Sequence, residues 1–441
     1  MASSTGADPA KKVSANAYPV KAGYWFSTSD LKVENIKSKL FTHLYAGFAR
    51  VQYPGKPIDE VIDIPDIKLK SFPDTVRGKN QGVKALLSIG GEGPDDDSTA
   101  KISAAIASVV RNEKTGLRDA FIKNSIKLAR ENNYDGLDLC WLYPSNANLQ
   151  SDLVSFLYDW REAVKKNAVD TGKKELLLTA AVFHHPVKEG FHYPVHALSA
   201  YLDLINVLAI DFYTPSNSEQ KTGPVHAWVD LTDGRSCGHA GIVKWIKNIG
   251  DATQKLVLGL PFYGYEWTLE DPNVHQFFAR AGPKTKERVF YKKITATVTA
   301  GTGEGKYHTT YDDNYVATYS YNNEKIWIGY DDGESISKKV SEASENKLGG
   351  YFAWHVGGDD DKWTLSTAAF NVVWDNEINN PGEITEESTI DKSMMIGSHQ
   401  QKSDQNTRTS TSSTTTSTTT STTTTADNST HTVSLSLCKI L

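Results

Sequence analysis

Short runs of branched and aromatic residues alternate with helical patterns along most of the chain. This order is typical of a parallel sheet whose strands are joined by crossover helices. Eight such strands can be assigned, which predicts a closed (β/α)8 TIM barrel of the α/β class. The predicted strands are Val20–Phe26, Phe41–Ala49, Val83–Ile89, Gly136–Trp141, Leu176–Val182, Leu204–Ile210, Leu256–Leu260 and Gly350–Trp354.

Two of the crossover helices stand out by their periodicity. Apolar side chains recur on one face over Lys114–Glu131 and again over Leu149–Ala168, which predicts amphipathic helices packed on the barrel. The apolar positions are Leu117, Phe121, Ile126 and Ala129 in the first helix, and Leu153, Phe156, Leu157 and Trp160 in the second.

The connection between the seventh and eighth predicted strands is unusually long, at about ninety residues. One crossover helix needs far fewer residues than this. We therefore predict a small α+β insertion between strands 7 and 8, at about residues 265–330.

The two ends of the chain differ in composition from the barrel. Residues 1–17 predict a flexible N-terminus, and residues 18–379 carry the barrel pattern. Beyond them apolar residues thin out, and residues 409–425 are almost entirely Ser and Thr. Because such a segment buries too little apolar surface to offset its ordering entropy, residues 380–441 are predicted to be a disordered tail.

Charge and hydropathy argue against several classes of partner. The net charge of -6 at pH 7 is small for 441 residues, which argues against nucleic acid. The N-terminal sequence contains no apolar run of the length that a signal peptide needs, and no later stretch approaches the length of a membrane span. A cytoplasmic protein without a membrane partner is therefore expected.

The three cysteines are Cys140, Cys237 and Cys438, and their wide spacing predicts neither a disulfide framework nor a metal site. No cofactor is indicated either. Cys438 begins the last four residues of the chain, which have the form of a C-terminal prenylation box with Lys439 in place of an aliphatic residue. Prenylation of Cys438 would add a membrane partner, and a chance tetrapeptide is the alternative.

The fourth predicted strand carries the most informative motif, Asp135-Gly136-Leu137-Asp138-Leu139-Cys140-Trp141-Leu142, followed by Tyr143-Pro144. Four further motifs fall at or near the ends of other strands, and a fifth falls at the end of the insertion. They are Ser88-Ile89-Gly90-Gly91, Leu208-Ala209-Ile210-Asp211-Phe212-Tyr213, Gly259-Leu260-Pro261-Phe262-Tyr263-Gly264, Trp327-Ile328-Gly329-Tyr330-Asp331-Asp332 and Gly350-Tyr351-Phe352-Ala353-Trp354. In this order they resemble glycoside hydrolase family 18, and plant class V chitinases in particular, from about Tyr18 to Asp375.

Three positions depart from the family pattern. The resemblance places the family's proton-donating Glu at Leu142, the Asp that orients the substrate acetamide at Cys140, and the Tyr that hydrogen-bonds the acetamide at Ile210. An alkyl side chain has no proton to transfer, and a general acid contributes roughly 10²–10⁴ in rate. The resemblance therefore implies a homologue without hydrolase activity, in which Asp138, Cys140, Leu142 and Ile210 are vestigial catalytic positions.

Cys140 offers a possible nucleophile in place of the lost acid. A catalytic cysteine needs a positioned base or cation that lowers the pKa of its thiol. Asp138, the neighbouring motif residue, would instead repel a thiolate. A buried, inert core thiol is the preferred interpretation of Cys140.

A carbohydrate-binding groove remains once the acid is gone. The resemblance assigns Trp354 to the floor on which a pyranose ring stacks, and Asp211 and Tyr213 to groove side chains; Tyr24 and Phe48 close the first two strands. These five are the predicted carbohydrate-binding residues. The alternative for the aromatic ones is that they plug the barrel top, and Asp138 is read as a buried structural carboxylate.

The leading hypothesis is a chitinase-like lectin that binds chitin-type or mannose-rich glycans. Because Cys140 and Ile210 remove the acetamide contacts, its selectivity for chitin should be weaker than in the enzymes. One alternative is an enzyme of changed chemistry, in which the apolar pocket around Leu142 accepts a small non-sugar substrate and Asp211 serves as acid or base. The other is a storage or interaction protein without a ligand.

Overall fold

A closed barrel of eight parallel strands forms the body of the protein in the computed structural model, which describes residues 19–231, 237–282 and 286–374. The strands follow the order 1-8-7-6-5-4-3-2, and pairing of the first with the second closes the ring. The predicted (β/α)8 TIM barrel is therefore confirmed. The predicted ends, residues 1–17 and 380–441 with the Cys438 box, lie outside the described residues.

The barrel strands begin and end within two residues of the predicted positions. They are Val20–Phe26, His43–Val51, Lys84–Gly90, Gly136–Cys140, Leu177–Phe183, Leu204–Leu208, Leu256–Pro261 and Gly350–Trp354. The sixth strand stops before its predicted end, Ile210, and Asp211 adopts a left-handed backbone conformation with φ of 64°. Two-residue strands at Ile62–Asp63, Val187–Lys188 and Phe191–His192 form short antiparallel pairs outside the ring.

Nine α-helices lie within the described ranges: α1 Ile67–Arg77, α2 Asp96–Arg111, α3 Leu117–Glu131, α4 Gln150–Thr171, α5 Val195–Tyr201, α6 Gly238–Ile249, α7 Tyr291–Ala300, α8 Gly333–Glu345 and α9 Thr364–Asn371. The helix predicted from Lys114 begins three residues later, because Gly116 with φ of 82° precedes its first turn. Helix α4 continues past Ala168 to Thr171 and ends at Gly172, whose φ is 66°. None of the described helices is both long and apolar enough to cross a membrane.

The predicted α+β insertion lies between the seventh and eighth strands. It is an antiparallel five-stranded sheet with helix α7, and it begins at Tyr263, two residues before the predicted start. Its strands, in sheet order, are Lys286–Phe290, Tyr263–Thr268, Ile326–Tyr330, Ala317–Tyr321 and His308–Asp312. Because its first strand follows the seventh barrel strand directly, the insertion stands beside the C-terminal mouth of the barrel.

Two apolar layers result from the period-2 alternation of the strands. In the fourth strand Leu137 and Leu139 pack outward under the helices, whereas Cys140 joins a second cluster inside the barrel with Tyr24 and Trp354. The side chains that end the strands therefore meet at the mouth, where barrels of this type hold their functional residues.

Candidate functional site

Asp138 lies at the centre of a polar layer inside the barrel. Its carboxylate is fully buried and accepts hydrogen bonds from the hydroxyls of Ser88 at 2.6 Å, Thr179 at 2.6 Å and Tyr24 at 3.0 Å. Asn206 in turn donates to the Tyr24 hydroxyl at 2.8 Å. Burial raises the pKa of the Asp138 carboxyl, against the opposing effect of these three donors. Asp138 therefore ties four strands together, and its oxygens face protein rather than the groove.

Cys140 and Leu142 continue the same strand toward the mouth. The Cys140 thiol is free and fully buried, and burial, followed by the charges of Asp138 and Glu92, raises its pKa well above the ordinary value. Such a thiol is a poor nucleophile, because only the thiolate attacks. Leu142 is half-buried and packs against the apolar cluster inside the barrel. The position that the family resemblance gives to the proton donor thus contributes apolar surface.

Ile210 and Asp211 follow the sixth strand. Ile210 is 7% exposed and belongs to the same interior cluster as Cys140. Asp211 keeps 30% of its side chain exposed, and the Tyr263 hydroxyl donates to its two carboxylate oxygens at 2.9 and 2.8 Å. Burial raises the pKa of this carboxyl, although Arg288 and the Tyr263 hydroxyl act in the opposite direction.

The left-handed backbone of Asp211 is held by a buried histidine. The Asp211 amide donates to Nδ1 of His226 at 3.0 Å, and Nε2 of the same ring lies 3.2 Å from the Tyr263 carbonyl oxygen. Burial lowers the pKa of His226 well below the ordinary value. A neutral ring that accepts at Nδ1 and donates at Nε2 satisfies both contacts. The His226 imidazole is therefore neutral, and in this form it positions the backbone of Asp211.

Trp354 ends the eighth strand, as predicted, but its indole is only 2% exposed. Edge-to-face contacts hold it against Tyr24 at 4.8 Å and Phe26 at 5.2 Å, measured between ring centroids. Half-buried side chains, Phe48 and Leu142 among them, pack against this cluster. The indole therefore exposes almost none of the face on which a sugar would stack.

The other predicted binding residues occupy different environments. Phe48 is half-buried beside the mouth, where its ring leaves no room for a Cβ on Gly91. Tyr24 is fully buried on Asp138, which corresponds to the alternative of a barrel plug. Tyr213 is 3% exposed, donates to Asp230 at 2.9 Å and belongs to the outer core rather than the interior cluster. Of the five, Phe48 and Asp211 thus present surface at the mouth.

Sequence reasoning missed an ion pair at the mouth. Nη1 of Arg288 lies 2.8 and 3.0 Å from the two carboxylate oxygens of Glu92, and the guanidinium stands 4.5 Å from the ring centre of Tyr263. Glu92 directly follows the Ser88–Gly91 motif, so its place at a strand end was a usable signal. Arg288 lies in the insertion, in a strand that carries no motif, and no local pattern pointed to it.

Chemically the mouth offers an apolar floor with two engaged carboxylates. The Asp211 carboxylate is bound to Tyr263, and the Glu92 carboxylate is bound to Arg288. The floor positions Cys140, Leu142 and Ile210 carry no acidic group. In the described part of the chain, no group of three or more His, Cys, Asp and Glu side chains is arranged to hold a metal ion. The arrangement is suited to contact a neutral ligand through apolar surface and a few hydrogen bonds.

The barrel, the inserted sheet and the strand-end motifs define a glycosidase-type barrel. The family model for glycosyl hydrolases family 18 matches residues 20–359. The chain belongs to this family.

Its relatives include both enzymes and an agglutinin. A class V chitinase of Arabidopsis thaliana is 39% identical over 359 residues, which cover 81% of this chain and 90% of the relative. A mutant class V chitinase of Nicotiana tobaccum, solved in complex with NAG4, is 37% identical with a TM-score of 0.72, and a chitinase-like agglutinin of Robinia pseudoacacia is 37% identical with a TM-score of 0.71. Each of these two comparisons covers 80% of this chain and 99% of the solved chain.

Proposed function

We propose that this chain is a chitinase-like glycan-binding protein that does not hydrolyse its ligand. The observation that carries the proposal is Leu142, which stands where the family resemblance places the proton donor. The two neighbouring departures act in the same direction, because Cys140 and Ile210 remove the groups that would hold a substrate acetamide. Losing the general acid alone removes roughly 10²–10⁴ in rate.

The carboxylates near the floor do not replace the missing acid. Both oxygens of Glu92 accept from Arg288, and both oxygens of Asp211 accept from the Tyr263 hydroxyl. Asp138 is enclosed by three hydroxyl donors inside the barrel. None of the three is placed to deliver a proton to a glycosidic oxygen over Leu142.

Two relatives favour a glycan as the ligand. The tobacco relative was solved with a chitin tetrasaccharide, and the Robinia relative is named an agglutinin. In this chain Phe48, Leu142 and Asp211 are among the partly exposed groups at the mouth, and Phe48 and Leu142 pack against the cluster that contains Trp354. Chitin-type and mannose-rich oligosaccharides are both compatible with a floor that has lost its acetamide contacts.

One observation favours a second candidate, an enzyme of changed chemistry. Asp211 is half-buried next to Ile210 of the apolar interior cluster, and burial raises the pKa of its carboxyl, as is common for catalytic groups. A small-molecule thermal-shift screen tests this candidate, because a substrate of the pocket should raise the melting temperature of the wild-type protein more than that of Asp211→Asn.

The main proposal is tested by a glycan array combined with a hydrolysis assay on chitin tetrasaccharide. We expect binding to at least one glycan class and no product. Turnover within about 10³-fold of an active class V chitinase would contradict the loss of activity. Trp354→Ala should weaken binding of the best array glycan by about 2 kcal/mol, or roughly thirtyfold, and Trp354→Phe should weaken it less. Unchanged affinity in a folded Trp354→Ala protein would place the glycan elsewhere.

A further inference from the structure

The Glu92–Arg288 ion pair joins two segments that are far apart in the chain. Glu92 follows the third barrel strand, and Arg288 lies in the inserted strand Lys286–Phe290, beyond the seventh. In the closed ring of eight, the third and seventh strands are four places apart in both directions, so they face each other across the barrel. Arg288 stacks over Tyr263 just beyond the seventh strand, so its contact with Glu92 spans the mouth between the third and seventh strands.

The ion pair is anchored to groove residues at both ends. On one side Gly91, the residue before Glu92, lies directly against the Phe48 ring. On the other side the Arg288 guanidinium stacks over Tyr263, whose hydroxyl is bound to Asp211. The two charged side chains are 25% and 29% exposed, so the contact is partly shielded from water.

The groups below the ion pair are those of the vestigial site. Gly91 next to Glu92 contacts Phe48, and Arg288 stacks over Tyr263; both rings pack in the interior cluster that contains Cys140 and Trp354. The charge of Glu92 also contributes to the raised pKa values of Cys140 and Asp211. Beneath them the Trp354 indole is 2% exposed. The partly exposed ion pair thus borders the interior cluster on which a sugar would stack.

We infer that the Glu92–Arg288 pair is a strap across the groove and that Glu92 determines which glycans reach the floor. This inference rests on the proposed glycan-binding function. Under a closed strap a polysaccharide enters only end-first, so the protein selects short neutral oligosaccharides and chain ends over internal segments of a long chain. Removal of the Glu92 carboxylate opens the mouth and relaxes this selection.

The strap can be tested without any ligand, by acrylamide quenching of Trp354 fluorescence. Comparing each protein with its own Trp354→Phe version isolates the contribution of this one tryptophan. We expect little quenching of Trp354 in the wild type and a severalfold increase in Glu92→Gln and Glu92→Ala. The matched control is Glu113→Gln, which removes a partner of Arg111 at 3.1 Å on the barrel surface and should leave Trp354 protected. Equal quenching in all these backgrounds would overturn the strap.

Selection by the strap is tested with two probes, chitin tetrasaccharide and soluble glycol chitin. The wild type should bind the tetrasaccharide in preference to the polymer, and Glu92→Ala should raise polymer affinity by about tenfold. The charge-swapped Glu92→Arg/Arg288→Glu protein should return toward wild type in quenching and in selection. If the tetrasaccharide binds but Glu92→Ala shows no gain in polymer affinity, the strap does not select short oligosaccharides over the polymer. If opening exposes Trp354 but neither probe nor any array glycan binds, the proposed function fails while the strap stands.

Discussion

Restoring the family residues at the floor should return hydrolysis only when all three departures are reversed. The variants are Leu142→Glu alone and the combined Leu142→Glu/Cys140→Asp/Ile210→Tyr protein. In the single variant the new carboxyl faces a thiol at 140 and an alkyl group at 210, so a substrate acetamide finds no partner. We expect no measurable gain from the single variant, and a gain of about 10²–10⁴ over wild type from the triple variant.

The structure also indicates the stability cost of these changes. Cys140 is fully buried beside Asp138, so an aspartate there adds a desolvated group next to an existing carboxyl, at about 1–3 kcal/mol. Ile210 is 7% exposed inside the apolar cluster, and the larger Tyr ring should lower the stability by a further ~1–3 kcal/mol through overpacking. Leu142 is half-buried and should be replaced at lower cost. The sum is a large share of the roughly 5–15 kcal/mol that stabilises a typical protein.

The assay must therefore separate activity from folding. Each variant is first compared with wild type by circular dichroism and thermal melting, and release of chitin fragments is then measured below the lowest melting temperature. Cys140→Asp/Ile210→Tyr without Leu142→Glu is the matched control, because it has the acetamide partners but no acid. If the hydrolysis rate of the folded Leu142→Glu protein is within about tenfold of the rate of the triple variant, the acetamide pocket is less damaged than Cys140 and Ile210 indicate.

Three further predictions concern the barrel. Asp138→Asn should destabilise the protein by about 1–3 kcal/mol in urea unfolding, since one of the three hydroxyls loses its acceptor. Because burial raises the pKa of Asp138, the stability that this group contributes is fully present below about pH 3.9 and is lost as the pH rises. The destabilisation by Asp138→Asn should therefore shrink toward neutral pH, and a destabilisation that grows with pH would refute this reasoning. Lys339→Met should lower the free energy of unfolding by about 3–5 kcal/mol, because buried Asp331 then lacks its partner at 2.6 Å. The double variant Lys339→Met/Asp331→Leu should recover most of this stability, and no recovery would show that the ion pair is itself stabilising. Cys140 should not react with a thiol reagent in the native protein, so Cys140→Ala should leave the number of rapidly reacting thiols unchanged; a lower number would show that the thiol is accessible.

Local patterns account for the parts of the fold that could be predicted. The alternation in strands such as Gly136–Cys140 and the apolar face of α4 each follow from residues close together in sequence, and the long gap before the eighth strand indicated the insertion. The strand-end motifs likewise placed Asp138, Cys140 and Trp354 inside one barrel. Such features depend on periodicity and spacing, which need no knowledge of distant contacts.

The environment of each side chain at the mouth could not be read in the same way. Tyr213 belongs to a quoted motif, yet its hydroxyl is bound to Asp230 and its ring packs on Phe278, a residue of the insertion. Arg288 meets Glu92 across 196 positions of sequence, a contact that only the closed ring creates. Burial and pairing of this kind depend on three-dimensional neighbours, so strand-end position alone could not show which aromatic side chains are exposed at the mouth.

The apolar floor and the covered Trp354 have one physical cause. Asp, Glu and Tyr at positions 140, 142 and 210 would each need water or a ligand as a hydrogen-bond partner, and a floor with such groups resists being covered. Cys140, Leu142 and Ile210 need no such partner, so they pack with Trp354 and Phe26 into the interior cluster. A sugar that stacks on Trp354 must first displace this packing, and an internal segment of a long chain must also displace the strap. The apparent affinity for the polymer is then the intrinsic affinity multiplied by the fraction of molecules whose mouth is open, so Glu92→Ala should strengthen polymer binding even though it adds no contact to the sugar.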